Sequence, residues 1–223
     1  MMRGVFRIFV LLAACGTGAV FAQSIDDLFT AVKIDNLRGV RNLVERGIDP
    51  NAGDAAGDPA LTVAIRNDAS TVAAFLIASQ KVDPDRRNNA LETPMMLAAY
   101  RNRLDLVEKL IARGAQVNNP GWTALHYAAS AGNVEVVKLL LEHAAYIDAE
   151  SPNKTTPLMM AARGKHRAVC DALIEEGADP TLINERELSA AGFALRAGDR
   201  ELAELLEKNA AVWRGRYPPV RVP

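Results

Sequence analysis

The chain has 223 residues, 49% of them hydrophobic but only 5% aromatic, with 26 Lys and Arg against 27 Asp and Glu. Such an apolar share excludes wholesale disorder, and a net charge of −1 excludes a nucleic-acid binder that works by neutralising phosphates, which needs a cationic excess. Thirty-eight alanines beside so few aromatics predict closely packed helices rather than a bulky aromatic core.

Residues 1–22 open with Arg3 and Arg7, continue through the apolar run Ile8 to Ala14 and reach Val20-Phe21-Ala22 just before Gln23. This is the pattern of a secretory signal peptide. It predicts cleavage after Ala22 and a periplasmic or secreted protein. The run is shorter than the ~20 apolar residues of a membrane-spanning helix, and no later stretch predicts a transmembrane segment. A second route competes: Leu12-Ala13-Ala14-Cys15-Gly16 resembles a bacterial lipobox, in which cleavage before Cys15 leaves a lipid anchor on that cysteine. Ala19, Val20 and Phe21 prolong the apolar region past Cys15, which favours cleavage after Ala22. Either route leaves Cys170 as the cysteine of the folded part, at an apolar helical position that reads as a small buried hydrophobe.

From residue 23 a repeat organises the chain. Thr93-Pro94-Met95-Met96-Leu97-Ala98-Ala99, Thr123-Ala124-Leu125-His126-Tyr127-Ala128-Ala129 and Thr156-Pro157-Leu158-Met159-Met160-Ala161-Ala162 begin 30 and then 33 residues apart. Weaker copies start at Asp26, Pro59 and Ser189, giving approximate units 23–54, 55–88, 89–118, 119–151, 152–184 and 185–212. Thr93 and Thr156 are placed to cap free backbone N–H groups, and Pro94 and Pro157 take the first helical position, where a missing N–H costs nothing. Nine residues after each start comes Asp35, Asp68, Asn102, Gly132, Lys165 or Gly198, five of them residue types that tolerate a left-handed helix end. A second apolar pattern at helical spacing follows. Most copies close on a glycine C-cap, Gly47, Gly114 or Gly177, with Asp49-Pro50 and Asp179-Pro180 opening an extended turn. The Ala-Ala pairs lack bulk and let helices approach, while Leu110, Leu140, Leu173 and Leu206 fill the layer between units. Each unit reads as helix, tight turn, helix and protruding loop.

Gly121-Trp122-Thr123-Ala124-Leu125-His126-Tyr127-Ala128-Ala129 with Gly132-Asn133 resembles the ankyrin repeat, with its period of about 33 and its T-P-L-H-x-A hallmark. The resemblance covers about residues 24–212 and implies an all-α solenoid of about six helix-turn-helix units with short β-turn fingers. It also implies protein–protein interaction. Thr62, Met96 and Met159 replace the motif histidine elsewhere, so a ladder of hydrogen bonds from that position is expected to be incomplete.

For chemistry the inventory is thin. His126, His143 and His166 show no i, i+4 pair for a metal, no cysteine cluster offers zinc ligands, and no glycine-rich phosphate loop leads into a βαβ unit. No catalytic, cofactor-binding or metal residue is assigned, and no cofactor is expected. The expectation is a monomeric, non-catalytic module that takes a partner protein in the concave groove of the stack. A scaffold, or a protector or inhibitor of a co-exported enzyme, fits the same reading, and an enzyme or small-molecule binder on this scaffold is the rival. The register places Asp58, Arg66, Glu92, Tyr100, Arg101, Trp122, Ser130, Thr155 and Arg163 along the groove: the residue before each motif start and those just after the Ala-Ala pair. Tyr, Trp and Arg dominate interface hot spots. The linker Asn118-Asn119-Pro120-Gly121-Trp122 is three residues shorter than the standard unit, which predicts a stunted finger and a gap beside Trp122. Residues 213–223, with three arginines and three prolines, predict an extended tail, with Trp213 tucked against the last unit.

Overall fold

A computed structural model describes residues 16–217. The basic and apolar parts of the expected signal peptide, Cys15, and residues 218–223 of the expected tail lie outside the described residues. Among the described residues twelve helices run in six pairs: α1 (Gly16–Lys33) with α2 (Leu37–Glu45), α3 (Ala60–Arg66) with α4 (Ser70–Ala78), α5 (Pro94–Tyr100) with α6 (Leu104–Ala112), α7 (Ala124–Ala131) with α8 (Val134–Glu142), α9 (Pro157–Arg163) with α10 (Arg167–Glu175), and α11 (Ala190–Arg196) with α12 (Arg200–Arg216). No strand forms among the described residues. A single bridge pairs Gly53 with Pro59.

The first helices are seven or eight residues long from α3 to α11, too short to persist alone, so their starts are fixed by side chains. The hydroxyls of Thr93, Thr123, Thr156 and Ser189 accept the backbone N–H three residues on, at 3.2–3.4 Å. The backbone N–H of Thr93 and that of Thr156 donate to the sulfurs of Met96 and Met159 at 3.4 Å. Methionine thus serves the local half of the histidine's role. All six turn residues are left-handed: Asp35 (φ 53°), Asp68 (54°), Asn102 (54°), Gly132 (80°), Lys165 (59°) and Gly198 (81°). Lys165 conforms although nothing about lysine favours it.

Helices α5, α7, α9 and α11 stack closely in order, and α2, α4, α6, α8 and α10 form a looser second layer. Side-chain size explains the difference. Ala98, Ala99, Ala128, Ala129, Ala161 and Ala162 are wholly buried between first helices, whereas Leu110, Leu140, Leu173 and Leu206 fill the second layer. A narrow alanine layer beside a wide leucine layer bends the stack toward the first helices, so their exposed side lines a concave surface.

Four fingers project at the groove's edge, each closed by a backbone N–H to carbonyl bond of 3.0–3.1 Å: Asp54 to Asp58, Asn88 to Glu92, Ser151 to Thr155 and Asn184 to Leu188. The fourth residue of each is left-handed (Gly57, Leu91, Lys154, Glu187). The first residue's side chain binds the finger's own backbone N–H groups, as Asn88 does at Ala90 and Glu92. Fingers are tied in pairs. Asn88 Nδ2 donates to Asp58 Oδ1 at 2.8 Å and Asn89 Nδ2 to the Ala56 carbonyl at 3.0 Å; Asn184 Nδ2 donates to Thr155 Oγ1 at 3.3 Å and the Glu185 N–H to the Asn153 carbonyl at 3.1 Å. The shortened linker 118–122 closes no such finger among the described residues. Asn118 instead donates to the Ala144 carbonyl and accepts the Tyr146 N–H, both at 2.8 Å.

Both ends of the described residues are helical. Helix α1 starts at Gly16 and passes through Ala22–Gln23 unbroken; Ile25, Leu28, Phe29, Ala31 and Val32 carry it into the core, all beyond that point. At the other end α12 continues to Arg216, so the chain is helical where an extended tail was expected from Trp213. The Trp213 ring lies 4.8 Å from that of Tyr217, four residues on in the final turn, and the two share a hollow with Ile174, Gly177 and Pro180.

Thr62 occupies the motif's histidine position in the second unit. It is wholly buried and its hydroxyl has no hydrogen-bond partner among the described residues. Burying an unpaired hydroxyl costs about 1–3 kcal/mol. Thr62→Val keeps the shape and removes the polar group, so urea unfolding is expected to show a gain of about 1 kcal/mol; a loss would mean that the hydroxyl is bonded after all.

Candidate functional site

Two positions of the repeat build the groove. The residue four after each helix start forms the floor: Leu97, Tyr127, Met160 and Phe193. The residue seven after forms the rim: Arg66, Tyr100, Ser130, Arg163 and Arg196. Successive turns of a short helix put i+4 and i+7 on one face, so stacking five such helices lays both rows side by side. Three adjoining hollows result. Arg66, Glu92, Leu97, Tyr100, Arg101 and Tyr127 line the first. The second, of about 330 Å³, is lined by Tyr100, Trp122, Tyr127, Ser130, Met160 and Arg163. The third, of about 230 Å³, includes Trp122, Met160, Arg163, Arg186, Phe193 and Arg196.

Aromatic rings separate the hollows. Tyr100, 54% exposed, stands edge-to-face against Tyr127, the centroids 6.3 Å apart. Trp122 is half-buried and meets the His126 ring edge-on at 5.2 Å. The cavity beside Trp122 lies where the shortened linker leaves the row of fingers incomplete, which is the gap expected there.

The charges of the first hollow are spent on one another. Arg66 Nε lies 3.1 Å from Asp58 Oδ2 and its Nη2 2.6 Å from Glu92 Oε2. Glu92 also accepts from Asn88 Nδ2 at 2.8 Å and from the Tyr127 hydroxyl at 3.1 Å. Burial, together with the Glu92 carboxylate, pushes the Tyr127 phenol up to about 12, so it remains a donor. Arg101 pairs with Asp68, and its hydrogen bond holds that carboxyl below the usual range. The third hollow is the opposite. Arg163, Arg186 and Arg196 line it with no carboxylate among its walls, and none of the three forms an ion pair among the described residues.

The structure thus brings Tyr100, Trp122, Ser130 and Arg163 around one cavity and Arg66, Glu92, Tyr100 and Arg101 around its neighbour. Asp58 corrects the sequence reading, and Thr155 reaches the groove only as part of the wall of the third hollow. At 8% and 3% exposure both are largely withdrawn from the surface, each closing a finger with its backbone carbonyl. Asp58 balances Arg66, and the Thr155 carbonyl accepts from His126 Nε2 at 2.8 Å. Sequence reasoning missed Tyr127, Met160, Phe193, Arg186 and Arg196. Carrying the rim register one unit further would have found Arg196.

His126 is wholly buried, and burial draws its pKa down to about 4 against the pull of the Thr155 carbonyl. Cys170 is wholly buried as well, and burial pushes its thiol up to about 12, which removes the thiolate that reactive cysteines need. Among the described residues no cluster of His, Cys, Asp or Glu is arranged to hold a metal ion, and no helix is long and apolar enough to cross a membrane.

A stack of helix-turn-helix units with finger loops and an open groove defines an ankyrin-type repeat protein. The sequence pattern of ankyrin repeats matches three times, over residues 28–120, 76–151 and 95–184, and the chain belongs to that family. It is 30% identical over 158 residues to the ankyrin repeat and KH domain-containing protein mask-1 of Caenorhabditis elegans, covering 65% of this chain and 6% of that protein. It is 33% identical over 137 residues to the human neurogenic locus notch homolog protein 1, covering 60% of this chain and 5% of the relative. The human neurogenic locus notch homolog protein 2 is 36% identical over 124 residues, covering 54% and 5%. The chain therefore spans only 5–6% of the length of these relatives.

Proposed function

We propose that the chain is a non-catalytic binding module that takes a segment of a partner protein into its concave groove. The observation that carries this reading is the 330 Å³ cavity walled by Tyr100, Trp122, Tyr127 and Arg163 and open along the groove. Aromatic and arginine side chains around a central hollow are the composition of interface hot spots. The family's ankyrin repeats support a protein partner. The pattern of residues 1–22 supports an exported protein, with a scaffold, protector or inhibitor of a co-exported enzyme as its role; mass spectrometry of the mature N-terminus, finding Gln23, an acylated Cys15 or Met1, decides between the routes.

Trp122 packs on the buried His126, so truncating it disturbs fold and binding together. Tyr100 is free of that ambiguity because it is largely exposed. A Tyr100→Ala, Arg163→Ala double variant is expected to lose at least tenfold in partner affinity while its melting temperature stays within a few degrees of the parent's, since exposed substitutions cost little stability. Undiminished capture of the same partner by this variant sinks the groove as the binding face.

A further inference from the structure

We infer that the groove receives an extended acidic segment of the partner, with an apolar side chain seated between Tyr100 and Trp122 and carboxylates held by Arg163, Arg186 and Arg196. The inference rests on the groove being the binding face and assigns its occupant a chemistry.

Charge along the groove is unevenly spent. In the first hollow every cation has its counter-ion within the fold: Arg66 has Asp58 and Glu92, and Arg101 has Asp68. The third hollow is lined by three arginines, none of which forms an ion pair among the described residues. Three like charges lining one concavity make it positive, and an arriving anion complements them. Arginine's planar fork favours carboxylates that it can hold with two parallel hydrogen bonds.

The neighbouring cavity selects the source of the anion. It shares Trp122, Met160 and Arg163 with the arginine hollow and adds the rings of Tyr100 and Tyr127. An inorganic anion or a phosphate headgroup satisfies the arginines and leaves that aromatic cavity wet. A peptide fills both. Adjacent units lie ~10 Å apart, as packed helices do, and an extended chain advances ~3.3 Å per residue. The apolar anchor and the first carboxylate therefore fall about three residues apart, with a second carboxylate about three further on.

Selection of a phage-displayed random dodecamer library on the folded full chain tests this. Enriched peptides are expected to carry an aliphatic or aromatic residue with two or more Asp or Glu at that spacing. Fluorescence anisotropy on synthetic copies should show affinity falling with added NaCl, at least tenfold weaker binding to the Arg163→Gln, Arg186→Gln, Arg196→Gln variant, and a similar loss on Tyr100→Ala. Replacing the peptide's acids by their amides should weaken binding to the parent but hardly to the triple variant. Peptides that depend on Tyr100 but carry no acids, or are indifferent to the three arginines, overturn the inference and leave the groove as the binding face. Peptides indifferent to Tyr100 and to the arginines overturn both. Preferential binding of inorganic phosphate, or of vesicles containing phosphatidylglycerol, over the selected peptides also overturns it.

Discussion

Lowering the pH from 6.5 to 4 is expected to remove about 3 kcal/mol of unfolding free energy through His126 alone, a loss that a His126→Gln variant does not share. A carbonyl only accepts, so the 2.8 Å contact with the Thr155 carbonyl makes Nε2 the protonated nitrogen. Nδ1 is then the acceptor for the N–H and hydroxyl of Thr123, at 3.2 and 2.9 Å. A second proton on Nδ1 faces those donors instead of water, inside a wholly buried pocket. The native pKa of about 4 lies below the ordinary 6.5, so the unfolded chain binds more protons between the two values. Stability from this group is therefore present above about pH 6.5 and lost as pH falls toward 4. Asp85 and Asp148, whose pKa values burial raises, act in the opposite sense in acid, so the quantity to measure is the difference between parent and variant urea curves across pH. Parallel pH profiles would show that His126 is not buried neutral. At pH 7 the variant itself is expected to be less stable by about 2 kcal/mol, since it gives up charge-free hydrogen bonds in a dry site.

The second large effect is expected at Leu140, where truncation to alanine should cost about 2–5 kcal/mol. Leu140 is wholly buried in α8, which packs on both α6 and α10. A solenoid draws its stability from its units and from the contacts between neighbours, so a cavity at Leu140 weakens two interfaces. Leu206 in α12 has the same position in the repeat and a neighbouring unit on one side only. Leu206→Ala is expected to cost less than Leu140→Ala in the same urea experiment; an equal or greater loss would argue against neighbour-only coupling.

The fold was legible because each unit states its own boundaries. Thr93-Pro94 and Thr156-Pro157 announce helix starts, and Gly132 and Gly198 announce turns, without reference to any other part of the chain. Lys165 shows the limit of that local reading: its left-handed backbone (φ 59°) is imposed by the two helices it joins, and only its register reveals it. The groove was half legible. Tyr100 and Arg163 were found because the exposed position seven after each start repeats. The position before each start repeats too, but how far it faces out differs from unit to unit. Asp58 and Thr155 close fingers and are buried, Glu92 closes one and still meets Arg66 at the groove, and Trp122 closes none and remains there. The Arg66–Asp58–Glu92 cluster and the three unpaired arginines depend on distances between units, which a single unit's sequence does not encode.

The fingers' pairwise ties have a mechanical consequence. Fingers 54–58 and 88–92 are clasped, as are 151–155 and 184–188, and at linker 118–122 the clasp is interrupted. What crosses there lies outside the finger row: Arg87 Nη2 donates to Asn119 Oδ1 at 3.2 Å, the Tyr127 hydroxyl to Glu92, Asn133 Nδ2 to the Ala99 carbonyl, and His126 Nε2 to the Thr155 carbonyl. The finger row is thus two clasped pairs with a seam between them at the cavity that Tyr100 and Trp122 wall, while the closely stacked helices α5, α7 and α9 run on unbroken beneath it.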